Sequence, residues 1–374
     1  MGDGNHAGKG RKAEKGRRFI IAAGGTGGHL FPGIAIAKAL EARLEGVEIR
    51  FVVGRRKMDS EIPGRYGYET LSVDVEGIKG RGWKGGLSAL SKLPGGLWQS
   101  AGMIRGFSPD LVMGMGSYAS APVCLAARLL GTPTAIHEQN SYPGLANRML
   151  CRVVDRVFIS FEESREHFKS GELVWTGNPV REEILEPSRT KSSGHGGFTL
   201  LVLGGSLGAR AVNEAVTAAL TLPEMAGRRP AVIHQTGDAD FDRVAAVYRD
   251  EGLDADVVPF IQDMASAYHA ADLVVSRAGA TTIFELAALG KPSILVPYPY
   301  AANRHQEINA MSLVRGGGAE MIHQKDLDGA VLARVLLKYM NDAAALAEMG
   351  RRAGAAGRPE AASTIVDHIL EMVG

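Results

Sequence analysis

The sequence has few cysteines, no long apolar run and almost no net charge. Its two cysteines, Cys124 and Cys151, lie in apolar stretches predicted to be helical and form neither a metal-ligand spacing nor a disulfide framework, which is typical of a reducing cytoplasm. No stretch approaches the roughly 18 apolar residues of a membrane-spanning helix. The formal net charge of +1 provides no overall field that would attract nucleic acid. We therefore expect a cytoplasmic globular chain without a nucleic-acid partner.

The length of 374 residues exceeds what one typical hydrophobic core supports, so we expect two domains. The first 18 residues are glycine-rich and basic, and they lack the apolar segment of a secretory signal. We expect residues 1–18 to form a disordered tail, with a tether to an anionic membrane as the alternative.

A glycine-rich turn at residues 24–28 follows the apolar run 19–23 and precedes a helical pattern over residues 34–44. A strand, a glycine turn and a helix in this order direct backbone N–H groups at an anion. The turn matches neither the dinucleotide fingerprint nor a P-loop. His29 lies at its mouth and can move a proton near neutral pH. The alternative is a tight turn with His29 as an exposed cap.

The same pattern returns 180 positions later, from Gly24 to Gly204, with a strand at 198–203 and a helix at 209–220. Two such arrays favour two doubly wound α/β domains, joined by the polar, breaker-rich stretch 186–197. Arg55 and Arg56 stand where a nicotinamide-binding domain carries an acid, which argues against NAD but leaves an NADP oxidoreductase open.

Polar residues follow several of the predicted strands. Residues 137–140 (His-Glu-Gln-Asn) end the strand 134–136, and Tyr118 follows the strand 110–116. Because ligands bind at the carboxyl ends of parallel strands, we expect these positions to contact substrate. The loop after Pro297 is rich in side chains that hydrogen-bond to sugars.

A third strand, turn and helix spans residues 276–285. Its carboxylate, Glu285, can accept both hydroxyls of a ribose while the N–H groups at the helix start bind phosphate. The alternative is a capping box with Thr282 as N-cap and Glu285 three residues on.

The stretch 77–87 mixes Trp83 with basic residues on glycine-rich backbone, and a helix broken near Pro94 follows. This composition suits a surface that enters an anionic bilayer, although Trp83 packed on its own domain is an equal alternative. Asp238-Ala239-Asp240 matches the metal-binding Asp-x-Asp pattern, but helix N-capping explains it more simply. We therefore predict no metal in the chemistry, with helix N-termini neutralising a leaving diphosphate.

Five motifs occur in order at compatible spacing: residues 24–33, 137–140, 177–181, 204–210 and 276–285. Together they closely resemble the MurG family of peptidoglycan glycosyltransferases, from Phe19 to the C-terminus. The resemblance implies a GT-B fold of two Rossmann-like domains facing across a cleft. The domains would be residues 19–178, with the helix 360–374 packing back on them, and residues 179–359.

The resemblance also implies an inverting transfer of GlcNAc from UDP-GlcNAc to the C4 hydroxyl of MurNAc in lipid I, undecaprenyl-pyrophosphoryl-MurNAc-pentapeptide. The products would be lipid II and UDP. It implies a peripheral protein on the cytoplasmic face of the plasma membrane, which meets an anionic surface through residues 78–97, and a cell-wall synthesis complex as partner. No cofactor is implied.

Carried over by position, the resemblance makes His29 the general base, with Glu138 next in line. Arg181 and the backbone of Ile261 would read the uracil, and Glu285 would hold the ribose. The other substrate-binding candidates are Thr26, Gly27, Gly28, Tyr118, Asn140, Ser206, Asn213, Arg277, Ala280, Thr281, Thr282, Ile283, Phe284 and Gln306. Of these, Ser206 and residues 280–282 would bind the diphosphate, Gln306 and Asn140 the GlcNAc, and residues 26–28 the acceptor.

Two residues depart from the family pattern: Leu207 and His305 stand where the family usually has Gln. The rival functions are a UDP-GlcNAc 2-epimerase on a similar fold, the NADP oxidoreductase named above and a non-catalytic sugar-nucleotide sensor.

Overall fold

The structure, a computed structural model, describes residues 16–75, 82–186, 197–205 and 208–374, without the side chains of residues 57–58 and 82–92. The expectations for residues 1–15, for 76–81 of the basic loop, for the linker 187–196 and for Ser206 and Leu207 therefore lie outside the described residues. So does the side chain of Trp83.

A parallel seven-stranded sheet forms the first half of the chain, in the order β3-β2-β1-β4-β5-β6-β7. Its strands are β1 (Arg18–Ala22), β2 (Glu48–Val53), β3 (Glu69–Ser72), β4 (Leu111–Gly114), β5 (Thr134–Glu138), β6 (Arg156–Ile159) and β7 (Glu172–Trp175). The helices between them are α1 (Gly27–Arg43), α2 (Lys57–Arg65), α3 (Gly82–Phe107), α4 (Ser120–Leu129) and α5 (Leu145–Leu150).

A parallel six-stranded sheet follows, in the order β10-β9-β8-β11-β12-β13. Its strands are β8 (Thr199–Leu203), β9 (Ala231–Gln235), β10 (Ala255–Val258), β11 (Leu273–Ser276), β12 (Ser293–Leu295) and β13 (Glu320–Met321). Its helices are α6 (Glu182–Leu185), α7 (Arg210–Thr221), α8 (Phe241–Asp250), α9 (Met264–Ala270), α10 (Ala280–Ala288), α11 (His305–Val314), α12 (Gly329–Asn341) and α13 (Ala343–Ala355), and the chain ends with α14 (Ala361–Val373). The predicted α/β fold with two doubly wound parallel sheets is confirmed.

Each sheet is buried on both faces. Because successive side chains of a strand point to opposite sides, each strand contributes to two cores. In β1, Phe19 and Ile21 pack in one core while Ile20 and Ala22 pack in the other. The second sheet repeats this arrangement, with Leu200 and Val202 on one side and Leu201 and Leu203 on the other. Such continuous apolar strands are what the sequence analysis identified most directly.

The last helix returns to the first sheet. Ile365, Val366 and Ile369 of α14 are buried in the same core as Phe19, and Arg17 donates hydrogen bonds to the carbonyl oxygens at the chain's end. We call the first sheet with α1–α5 and α14 the first half, and the second sheet with α6–α13 the second half.

Several boundaries differ from the sequence expectation, and three of these differences bear on the fold. Strand β1 begins at Arg18, inside the stretch expected to be a tail. Helix α1 begins at Gly27 instead of residue 34, because the carbonyl of Thr26 accepts from the N–H groups of His29 and Leu30 and starts the helix within the glycine turn. Glycine and histidine add nothing to apolar periodicity, so this first turn left no signal.

Helix α3 is the third difference, because it begins at Gly82 and continues through Pro94 where a loop and a break were expected. An internal proline costs a helix about 3 kcal/mol, which packing can offset. Ile104 and Phe107 of α3 are buried in a core with Val123 and Ala127 of α4, and this contact holds the helix in place. Among the described residues, no helix has both the length and the apolar character needed to cross a membrane.

Candidate active site

The candidate site lies where the carboxyl ends of the two sheets face each other. In each sheet the strand order reverses beside the first strand, β1 or β8, and a glycine turn follows that strand. Such a switch point leaves a crevice for ligands. The halves touch here: the Thr281 hydroxyl, at the start of α10, donates to the Gly28 carbonyl, at the start of α1, at 3.5 Å.

Pro32 explains why the Gly28 carbonyl can accept this bond. In a regular α-helix that carbonyl would accept from the N–H of the residue four positions on, which is Pro32 and has no N–H. The second half therefore supplies a donor that α1 itself lacks.

The first glycine turn is already partly occupied by protein groups. The N–H of Gly25 donates to Oδ1 of the buried Asp59 at 2.8 Å, and Arg56 donates to the Gly25 carbonyl at 3.2 Å. The expected phosphate cradle is therefore not free at Gly25. Gly27 and Gly28, in the first turn of α1, have no intrahelical acceptor for their N–H groups, so these two N–H groups are the ones left to meet an anion.

His29 is half-buried and hydrogen-bonded to the end of the first sheet. Its Nδ1 lies 2.8 Å from Oε1 of Gln139, and Nε2 of Gln139 lies 2.9 Å from Nδ1 of His137. His137 is fully buried, and burial lowers its pKa to about 4, so its ring is neutral at physiological pH. The three side chains form one polar row beneath the cleft.

Glu138 does not fit the expected role of reserve base. Its Oε1 accepts from the N–H and the side-chain amide of Asn140 at 2.9 and 3.3 Å. Its Oε2 accepts from the N–H of Gly144 at 3.0 Å and from Asn147 at 2.9 Å. With these acceptor positions filled and the side chain buried, the carboxylate organises the loop after β5 and is not available to a substrate proton.

Asn140 lies at the junction of the two halves, where its Oδ1 accepts from Nδ2 of Asn309 at 3.3 Å. Asn309 is fully buried in α11 and also binds Ser141. Tyr118, by contrast, is about half exposed in the loop after β4. Asn140 is thus set by contacts from the opposite half, whereas Tyr118 is free to meet a ligand.

The start of α10 contradicts the capping-box alternative. Gly279 is the N-cap, no side chain caps the helix, and Thr282 is the third helical residue. Glu285 therefore lies too far along the helix to close a capping box with it. The N–H groups of Ala280, Thr281 and Thr282 are first-turn groups without intrahelical acceptors.

Glu285 forms a buried polar cluster with two other side chains. It accepts from Nη2 of Arg181 at 3.3 Å and from the Tyr268 hydroxyl at 2.9 Å. Burial raises the pKa of Glu285, and the charge of Arg181 and the Tyr268 hydrogen bond offset part of that effect. A ligand ribose would therefore meet a carboxylate whose two oxygens are already oriented.

Arg181 also contacts the first half of the chain, because its guanidinium lies 4.1 Å from the centroid of the Phe31 ring in α1. The two residues expected at the nucleoside end, Arg181 and Glu285, are thus brought together. The N–H of Ile261 is not free to read a uracil, because it donates to Oε1 of Gln235 at 3.0 Å. Only the carbonyl of Ile261 remains for that contact.

Gln306 and Arg277 both hold the loop after β12. Oε1 of Gln306 accepts from the N–H of Tyr298 at 2.9 Å, which directs its NH₂ group away from that N–H. Arg277 donates to the carbonyl of Val296 at 3.1 Å and to Gln324 at 2.6 Å, and burial lowers its pKa. Gln306 keeps a free donor for a sugar, whereas Arg277 mainly shapes the loop.

Three residues expected to bind substrate have side chains buried away from the cleft, which leaves only their backbone for such a contact. Asn213 is fully buried, and its amide binds Thr236, Asp240 and His234. Ile283 and Phe284 are buried in the core of the second half. The family resemblance placed Ile283 and Phe284 among the candidates, but their apolar side chains turn inward.

Asp240 stands at the N-cap position of α8, but its side chain does not cap the helix, contrary to the expectation. Its carboxylate accepts two hydrogen bonds from Arg243, at 2.7 and 2.8 Å. In the described part of the chain, no cluster of three or more His, Cys, Asp or Glu has the arrangement of a metal site.

Comparison with known proteins identifies the family. The glycosyltransferase family 28 N-terminal domain matches residues 19–159 and the family 28 C-terminal domain matches residues 199–365. A protein of Syntrophus aciditrophicus is 46% identical over 95% of this chain and 99% of its own length. The chain belongs to glycosyltransferase family 28. That relative, and one of Geobacter sulfurreducens that is 44% identical over 94% of this chain and 98% of its own, are both named UDP-N-acetylglucosamine–N-acetylmuramyl-(pentapeptide) pyrophosphoryl-undecaprenol N-acetylglucosamine transferase.

Solved structures agree with this family 28 assignment. The crystal structure of Acinetobacter baumannii MurG has a TM-score of 0.74 and 31% identity, covering 95% of this chain and 99% of that one. The GT-B fold expected from the resemblance is confirmed. An S. aureus MnaA–UDP structure, at a TM-score of 0.67 and 17% identity over 94% of this chain and 96% of that one, shares the fold alone.

Membership of family 28 also removes the NADP oxidoreductase. Arg55 and Arg56, its only support, are engaged with Asp74 and with the Gly25 carbonyl. Sequence reasoning did not identify the contacts through which five residues organise the candidate site of this family 28 glycosyltransferase: Phe31, Asp59, Gln139, Tyr268 and Asn309. Gln139 and Asn309 stood in polar stretches that had been singled out, whereas Tyr268 and Asp59 carried no local signal.

Proposed function

We propose that this glycosyltransferase moves GlcNAc from UDP-GlcNAc to the C4 hydroxyl of MurNAc in undecaprenyl-pyrophosphoryl-MurNAc-pentapeptide, with inversion, forming lipid II and UDP. The near full-length match, at 46% identity, to a relative named for this transfer carries the proposal. The enzyme is a hexosyltransferase, and the arrangement of the cleft is suited to this chemistry.

The donor binds mainly to the second half in this proposal. Arg181 and Glu285 hold the nucleoside, with Glu285 accepting the ribose hydroxyls. The first-turn N–H groups of α10 neutralise the diphosphate as charge develops on it. Gln306, whose NH₂ group is free of the Tyr298 contact, orients the sugar.

The acceptor binds against the first half. His29 removes the proton of the C4 hydroxyl as that oxygen attacks the anomeric carbon from the side opposite UDP. The bond between the anomeric carbon and the phosphate oxygen breaks, and its electron pair leaves with UDP. A general base of this kind contributes about 10²- to 10⁴-fold to the rate.

We also propose that the transfer requires no metal. The charge of the leaving group is met by helix N-termini, and the Asp-x-Asp carboxylate of Asp240 is engaged by Arg243. Full activity in excess chelator is the expected result. Complete loss that an added divalent cation restores would overturn this part of the proposal.

The enzyme must reach a lipid-linked acceptor, so we place it peripherally on the cytoplasmic face of the plasma membrane. Exposed apolar side chains on adjoining helices support this: Trp98 of α3, Leu125 and Leu129 of α4, and Leu145 and Met149 of α5. Arg105 of α3 and Arg128 of α4 are exposed as well, and Arg152 is exposed just after α5. Apolar and basic side chains together favour an anionic bilayer. This surface adjoins the predicted 78–97 region, most of whose side chains lie outside the described residues. A cell-wall synthesis complex stays a prediction.

The decisive assay measures UDP release and glycolipid product from UDP-GlcNAc with and without a lipid I analogue. We expect both products only when the acceptor is present. Conversion of UDP-GlcNAc to its C2 epimer without acceptor would instead favour the epimerase. Binding without turnover would favour a sensor.

A further inference from the structure

The contact between His29 and Gln139 identifies which atom donates and which accepts, because the orientation of the Gln139 amide can be assigned. Nε2 of Gln139 lies 3.2 Å from the carbonyl oxygen of His137. A carbonyl oxygen only accepts, so the Gln139 atom facing it must be the amide nitrogen. The Gln139 atom that faces His29 is therefore the carbonyl oxygen.

That orientation determines the proton positions on both histidines. Nδ1 of His29 lies 2.8 Å from an oxygen that only accepts, so Nδ1 carries a proton. The Gln139 nitrogen donates to Nδ1 of His137 at 2.9 Å, so this ring nitrogen is unprotonated. The remaining His137 proton lies on Nε2, which donates to the Gly177 carbonyl at 3.2 Å.

We propose that Gln139 is a positioning residue that holds His29 in the Nδ1–H tautomer and leaves the lone pair of Nε2 as the base. The inference rests on the proposed function, in which His29 takes the acceptor proton. In water, neutral histidine favours the Nε2–H tautomer, which would present a donor where a base is needed. The row from Gly177 through His137 to Gln139 reverses that preference.

The proton transfer balances in this arrangement. The C4 hydroxyl gives its proton to Nε2 of His29 while its oxygen bonds to the anomeric carbon and UDP leaves with the electron pair. The ring becomes an imidazolium that keeps its Nδ1–H bond to Gln139. After product release, Nε2 returns its proton to solvent, and the resting tautomer is restored because Oε1 of Gln139 can only accept.

The tautomer can be measured without any turnover. The full chain is labelled with ¹⁵N-histidine, and long-range ¹H–¹⁵N correlation spectra are recorded at pH 8, with His29 assigned by the signals lost in His29→Gln. We expect a protonated Nδ1 and an unprotonated Nε2 in the wild type, and a shift toward Nε2–H in Gln139→Leu. An Nε2–H ring in the wild type, or an unchanged pattern in Gln139→Leu, overturns the proposal.

Kinetics separate positioning from packing. We expect Gln139→Leu to lower kcat at least about tenfold, short of the roughly 10⁴-fold loss when a histidine is forced into the wrong tautomer, with little change in KM for UDP-GlcNAc. Gln139→Glu keeps an acceptor facing Nδ1, so it restores most of kcat. Its negative charge also moves the acid limb of the kcat–pH profile to higher pH. Equal losses in both variants with an unmoved acid limb would indicate packing alone and overturn the proposal.

Thr134→Val provides a matched control. Thr134 is buried in the same strand, β5, at its other end, and its hydroxyl donates to Asp155 at 2.9 Å. It should lose stability without changing the His29 tautomer or the pH profile. A wild type that shows the Nδ1–H ring but no GlcNAc transfer would refute the proposed function alone. Full transfer with an Nε2–H ring would refute this inference alone.

Discussion

Asn309 and Ser141 join the two halves of the molecule through one oxygen atom. Oδ1 of Asn309, in α11, accepts from the N–H of Ser141 at 3.0 Å and from its hydroxyl at 2.8 Å. The amide nitrogen of Asn309 lies within 3.3 Å of Oδ1 of Asn140, the residue proposed to orient GlcNAc. This fully buried side chain thus contacts the residue expected to orient GlcNAc and joins the two halves.

Replacing Asn309 should therefore affect both stability and catalysis. Asn309→Leu leaves the buried N–H of Ser141 without its acceptor, which costs about 2 kcal/mol in the free energy of unfolding, measured in urea. We expect KM for UDP-GlcNAc to rise as well. Ser312→Ala, which removes a bond to the Asn309 carbonyl within the same helix, is the control and should leave KM unchanged. A stable Asn309→Leu enzyme with wild-type KM would contradict the prediction.

Glu285→Gln should weaken nucleotide binding. The substitution keeps the volume but removes the charge that faces Arg181, so we expect the Kd for UDP, measured by calorimetry, to rise about 10- to 100-fold. Glu183→Gln is the matched control, since Glu183 lies 3.5 Å from the same guanidinium but is far more exposed. Exposed pairs contribute little, so its effect should stay below about twofold. Wild-type UDP affinity in Glu285→Gln would remove the proposed ribose contact.

His29→Ala should reduce turnover and leave donor binding intact. The loss of the general base should lower kcat by about 10²- to 10⁴-fold, with KM for UDP-GlcNAc unchanged. His167→Ala, which removes a ring whose centroid lies 4.5 Å from that of Tyr142, controls for loss of a histidine. Unchanged turnover in His29→Ala would show that His29 is not the base. Glu138 could not replace it, because its carboxylate already accepts four hydrogen bonds.

Two buried histidines predict a loss of stability in acid. Burial lowers the pKa of His137 to about 4 and that of His234 to about 3, so both rings are neutral in the folded chain. The unfolded chain takes up their protons near pH 6.5. Their contribution is therefore present above pH 6.5 and is lost as pH falls toward these values, by about 3 kcal/mol for His137. Urea unfolding at pH 7.5, 5.5 and 4.5 should show this decline. His234→Gln should flatten it, and an unchanged pH dependence in that variant would contradict the assignment.

Membrane association should depend on the exposed apolar surface of the first half. Trp98 and Leu129 are 79% and 69% exposed. Changing both to Ser should lower binding to anionic vesicles, measured by co-sedimentation, at least about tenfold. Tyr300→Ser, which removes an aromatic side chain of the second half that is 80% exposed, should have no effect. Equal binding by all three proteins would place the membrane contact elsewhere.

The sequence predicted those parts of the fold that depend on local patterns. Apolar strands such as 19–22 and 199–203, and the glycine turns after them, were recognisable because a strand buried on both faces is apolar throughout. The start of α1 and the course of α3 through Pro94 were not, because packing against distant elements decides them.

The candidate site was predictable by residue type but not by partner. His29 and Glu285 were identified because an imidazole and a carboxylate follow glycine turns in the sequence. The same reasoning placed Glu138 among the bases, since nothing in the sequence shows that four donors surround its carboxylate. It also missed Tyr268, whose contact with Glu285 spans 17 positions.

Pro32 removes a backbone hydrogen bond from α1 and thereby leaves the Gly28 carbonyl available to the second half. Pro32→Ala would restore an N–H at the position where α1 lacks one, and the Gly28 carbonyl would then have a donor within its own helix. The repaired helix would be more stable alone but would share with Thr281 an acceptor that now serves the other half. Completing the hydrogen bonds of α1 and keeping the contact between the halves therefore exclude each other in part. At this position α1 lacks one backbone hydrogen bond, and its Gly28 carbonyl accepts from the opposite half instead.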